Sequence, residues 1–83
     1  MTSSKKHNEA QSFLTAARTC LEDASFATSA DALYLCAARA LDAAGFAMEV
    51  CDTTDDVIFA AAQRVMDAAL EYHLAANAMR RAS

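Results

Sequence analysis

Apolar residues recur along this chain at spacings of three and four in three separate blocks, which is the period of a helix with one buried stripe. In the first block, Ala10, Phe13, Leu14, Ala17, Cys20, Leu21 and Ala24 share one face, while Glu9, Ser12, Thr19, Glu22 and Asp23 fall elsewhere. Asn8 stands three positions before Gln11, in the arrangement by which a side chain caps a helix start. Lys5 and Lys6 would sit badly in an electropositive first turn. The pattern therefore predicts a helix over about 8–24, with residues 1–7 a flexible lead.

The second block opens at Thr28 and Ser29, both cap formers, with Asp31 in the following turn where a negative charge favours the helix dipole. Leu33, Ala37, Ala40, Leu41 and Ala44 form its face, but Tyr34, Leu35, Cys36 and Ala38 extend the apolar surface almost all the way round. A helix apolar on most sides is buried on most sides, so this is the central element. Gly45 is the expected left-handed stop, placing the helix over about 30–44. Beyond it, Phe46, Met48 and Val50 alternate with Ala47, Glu49 and Cys51. That period of two predicts an extended segment, with a short strand as the alternative.

Thr53 or Thr54 is the expected cap of a third helix over about 55–81, with Asp55 and Asp56 in its first turn. Here Ile58, Ala62, Val65, Ala69, Tyr72, Ala76 and Met79 alternate steps of four and three, a regular packing seam. Phe59, Met66, Leu70 and Leu74 form a second stripe beside it, with His73 and Asn77 near its edge. One stripe packs within the protomer and the other has to meet something else. The candidate interface is accordingly Ile58, Phe59, Ala62, Val65, Met66, Ala69, Leu70, Tyr72, Ala76 and Met79, with the division between core and contact left open. At this length the third helix also outruns the second and needs a partner for its overhang.

Composition strengthens the helical reading. Alanine fills 22 of the 83 positions, proline none and glycine one. Alanine is the best helix former, and glycine and proline are the main interrupters. The expected fold is all-α: one domain over 1–83, a three-helix antiparallel bundle whose long third helix contributes to a dimer interface. Chains of this size have marginal cores, and a core of methyl groups buries little area per residue. With 55% hydrophobic residues, self-association is the simplest outlet.

The net charge of −4 argues against a nucleic-acid partner held by a general basic field. No run approaches about 18 uncharged apolar residues, and the segment Met1 to Lys6 lacks the apolar stretch of a secretory signal, so the expected setting is cytoplasmic, away from membranes. Cys20, Cys36 and Cys51 are odd in number and sit among apolar neighbours, which favours free thiols acting as small hydrophobes.

Reactive constellations are scarce. No CxxC, HExxH, acidic calcium loop or glycine-rich phosphate loop occurs, so neither a metal nor another cofactor is expected. Glu71 and His73 are two apart and point to different helix faces, unlike the Glu-x-x-His pairs of di-metal bundles. Asp52, Asp55 and Asp56 read as helix-start residues, and His7 as a solvated side chain. Arg64 and His73 are the one candidate catalytic pair.

The run from Ala30-Asp31-Ala32-Leu33-Tyr34-Leu35-Cys36 through Ala37-Ala38-Arg39-Ala40-Leu41-Asp42-Ala43-Ala44-Gly45 resembles the central helix of small HEPN-type bundle proteins. It follows a helix carrying Ala16-Ala17-Arg18-Thr19-Cys20-Leu21, which fits the opening of that family. The resemblance covers the first half of the chain and implies a helical, dimer-forming module. Ribonuclease members of the family carry an arginine followed four to six residues later by a histidine, at a dimer interface. Here Arg64 precedes His73 by nine positions, a departure that puts nuclease activity in doubt.

These features point to a small non-enzymatic interaction or regulatory module acting as a homodimer, with an unidentified protein as a further partner. Two other classes stand beside it: an RNA-acting HEPN-like protein of a toxin–antitoxin or defence system, and a chaperone or immunity-type partner whose acidic surface meets a basic protein.

Overall fold

A computed structural model describes residues 2–82, with side chains from Lys5 onward. The described residues form three helices and no strand: α1 (Thr2–Ser25), α2 (Ala30–Val50) and α3 (Asp56–Ala82). His7 of α1 lies beside Asp55 at the start of α3, while Ala24 near the end of α1 packs with Leu33 and Ala76. So α1 and α3 run parallel, and α2 runs antiparallel to both. The result is a rod of 52 × 16 × 14 Å.

The core is built mostly from methyl groups. Ala10, Ala17 and Ala24 line α1, Ala37, Ala40, Ala44 and Ala47 line α2, and Ala62, Ala69 and Ala76 line α3, all of them buried. Leu14 and Ile58 are the largest fully buried side chains among them. Bulkier neighbours such as Phe13, Leu21, Leu41, Met48, Phe59 and Met66 close the flanks of this seam and are only partly covered. Small residues on the contact line let the helices approach closely, which brings the flanking side chains within dispersion range.

Three boundaries differ from the sequence expectation. The first helix does not open at Asn8 but includes every described residue back to Thr2, while Met1 lies outside the described residues. Starting earlier moves Lys6 out of the first turn, where the dipole would oppose it, and places Nζ 3.2 Å from Asp52 Oδ1. The second helix does not stop at Gly45 but continues to Val50, and Gly45 has no positive φ. Ala40, Ala44, Ala47 and Cys51 step by four, three and four, so the buried stripe runs straight through the glycine. Those contacts outweigh the roughly 1 kcal/mol that a mid-helix glycine costs. The segment 46–50 is therefore helical rather than extended.

The third correction concerns the cap of α3. Neither Thr53 nor Thr54 performs it; Asp55 Oδ1 accepts the Ile58 N–H at 3.3 Å. The turn beneath is closed by the Asp55 N–H to the Asp52 carbonyl at 2.9 Å and the Asp56 N–H to the Thr54 carbonyl at 3.0 Å. Ser29 is the cap of α2 as its sequence position indicates, its hydroxyl accepting the Ala32 N–H at 3.2 Å.

Candidate functional site

Burial divides the third helix into two faces. Ile58, Ala62, Val65, Ala69 and Ala76 are buried inside the bundle, so the regular seam is protomer core. Tyr72, Phe59 and Met66 are half-buried on its flanks. Leu70 is 49% exposed, Leu74 66% and Met79 38%. Of the candidate interface residues, then, Leu70 and Met79 reach solvent most fully. Met79, nine positions from Leu70, lies on the opposite side of α3, whereas Leu74, one turn beyond Leu70, shares its edge. Asp67 and Arg81 are also exposed here, and Asp67 accepts a hydrogen bond from the Gln63 amide at 3.1 Å.

The far end of the rod is closed by a polar and aromatic stack. The His73 ring lies 4.7 Å from the Tyr34 ring, and the Arg80 guanidinium sits 4.8 Å above the same tyrosine. Arg80 also donates to Asp31 Oδ1 at 2.8 Å. Arg80 is in the last turn of α3 and Asp31 in the first turn of α2, so each charge complements its own helix dipole while pairing with the other. This stack meets the last turn of α3, while the extension of α2 past Gly45 lies at the other end of the rod, beside the start of α3.

Arg64 and His73 are not brought together. A helix turns about 100° per residue, so nine positions place them on opposite sides of α3, about 13–14 Å apart along its axis. Arg64 faces α1 across a shallow groove, and His73 faces Tyr34 of α2. Within one chain they cannot hold the same phosphate.

That groove is the second surface feature. Arg18 and Leu21 of α1 and Ala61, Arg64 and Val65 of α3 line a cavity of about 260 Å³. It opens here because α1 and α3 touch each other least among the three helix pairs. In the sequence Arg18 appears only within the run Ala16–Leu21 and carries no signal of a site. Only the parallel packing of α1 and α3 sets it across from Arg64.

The opposite end of the rod holds titratable groups in contact. His7 Nδ1–H donates to Asp55 Oδ2 at 2.7 Å, and the Gln11 amide reaches His7 Nε2 at 3.4 Å. The hydrogen bond from His7 holds the Asp55 carboxyl below the usual aspartate range, reinforced by the Ile58 N–H. Cys51 is buried nearby, and loss of solvent together with the charges of Asp55 and Asp52 pushes its thiol above the ordinary value. Cys20 and Cys36 are half-buried, and all three cysteines are free.

Among the described residues, no group of three or more His, Cys, Asp or Glu side chains gathers in a way that could hold a metal ion. No described helix is long and apolar enough to cross a membrane. Comparison with protein-family models, with curated proteins and with solved structures found no match for this chain. The class defined by the fold is an all-α three-helix bundle.

Proposed function

We propose that this protein is a non-enzymatic helical interaction module that acts as a homodimer through the outer edge of α3. The observation that carries this reading is the exposure of Leu70 and Leu74 one turn apart, on a bundle whose own core is mostly alanine. Covering them removes apolar area from water that the protomer leaves open, at roughly 25 cal/mol per Å².

The charges around these leucines favour a second copy as the occupant. Asp67 and Arg81 each lie seven positions from Leu74, two turns in opposite directions on nearly the same face. An antiparallel pairing of two α3 helices about a two-fold axis at Leu74 sets Asp67 opposite Arg81 of the partner subunit, twice. The same register places Leu70 against the partner's Ala78, a large side chain over a small one. A surface complementary to itself in this way is the requirement for a closed dimer. The interface should bury more than about 1,000 Å².

Sedimentation equilibrium at micromolar concentration tests the reading. The wild type should sediment as a dimer. Leu74→Glu should sediment as the 8.8 kDa protomer with its helical circular dichroism retained. An 8.8 kDa species for the wild type across that range rejects it.

A further inference from the structure

We propose that the groove between α1 and α3 binds a small organic anion with an apolar body, its charged head held between Arg18 and Arg64. The chain carries 11 acidic residues against 7 lysines and arginines, so cations on this surface have carboxylates in ready supply. Arg18 and Arg64 make no ion pair among the described residues, which is equally true of Lys5, Arg39 and Arg81; what distinguishes these two is that they share one groove. Glu22 lies one helical turn from Arg18 and Asp67 three positions from Arg64, distances at which helical ion pairs form. Neither pair is made, and Asp67 takes its hydrogen bond from Gln63 instead.

The two arginines rise from different helices onto the walls of one cavity. Like charges facing a common space repel, and an anion between them reverses the sign of that interaction while accepting the forked donors that guanidinium groups present. Between them the lining is apolar: half-buried Leu21 and Ala61, and buried Val65. A bare inorganic ion would leave this lining uncovered. The volume of about 260 Å³ falls just below the roughly 300–1,000 Å³ typical of ligand pockets, which suits a ligand of about ten non-hydrogen atoms. A carboxylate or a phosphate monoester on a short hydrocarbon chain has this chemistry.

The test is a titration of the full chain followed by amide chemical shifts, with hexanoate and hexyl phosphate as probes and hexanol, acetate and inorganic phosphate as controls. Saturable shifts confined to the groove are expected with at least one of the two amphiphilic anions, and the tighter one identifies the head group. Arg18→Gln and Arg64→Gln should each weaken that binding at least tenfold while circular dichroism stays unchanged, with Arg18→Lys falling between. Leu74→Glu should bind like the wild type, which separates this site from the dimer edge. Equal binding of hexanol, equal binding of inorganic phosphate, absence of saturation, or arginine variants that bind as well as the wild type would each overturn the proposal.

Discussion

His7 Nδ1 and Asp55 Oδ2 stand 2.7 Å apart although 48 positions separate them, and this contact ties the first turns of α1 to the start of α3. Asp55 does two things at once: one oxygen receives His7 and the other caps α3 through Ile58. Because the folded state holds its carboxyl below the unfolded value, the unfolded chain binds more protons at acid pH, so stability rises with pH there. The contribution is complete above the unfolded aspartate value near pH ~4 and is lost as pH falls through the lower folded value. Melting temperatures measured from pH 2 to 6 should therefore fall on the acid side, and Asp55→Asn should flatten that slope. An unchanged slope in Asp55→Asn would show that this carboxylate does not govern the acid response.

Gly45 offers a stabilising substitution. It lies within α2 without a positive φ, and a Cβ built there meets nothing within 4 Å. Gly45→Ala should raise stability by about 1 kcal/mol, or roughly 4–8 °C in melting temperature. A lower melting temperature would mean that another surface packs against this position.

Ala69 is the reverse case. It is fully buried on α3, in the same core cluster as Ala17 and Ala44. Ala69→Leu should overfill that space and cost about 1–3 kcal/mol. Chemical denaturation of the two proteins measures the difference, and no loss would show that the seam has slack.

The cysteines should differ in reactivity. Cys51 is buried with its thiol pushed towards the neutral form, whereas Cys20 and Cys36 are half-buried. Native labelling with a thiol reagent should modify Cys51 last, with all three reacting rapidly in denaturant. Early modification of Cys51 would mean that the turn between α2 and α3 opens more readily than α1 and α2 do. The sequence sets all three among apolar neighbours and does not rank them. The helical continuation to Val50 carries Cys51 onto the buried stripe.

Much of this architecture was legible in the residues themselves. Helices follow from local preferences and from the three-and-four spacing of apolar positions, and both are properties of neighbouring residues. Hence the three helical blocks, the Ser29 cap and the seam of Ile58, Ala62, Val65, Ala69 and Ala76 can all be read along the chain. The lone Gly45 misleads because its local signal is a stop. The step from Ala44 to Ala47 and Cys51 carries the contrary signal, but only contact with the other helices gives that step its weight. The same holds at the start of α1, where Lys6 and His7 find their partners 46 and 48 positions away. Which stripe of α3 is core, and that Arg18 and Arg64 face one groove, were decided by tertiary structure alone. Periodicity fixes positions around a helix axis, but the packing of one helix on another decides which of those positions lose contact with water.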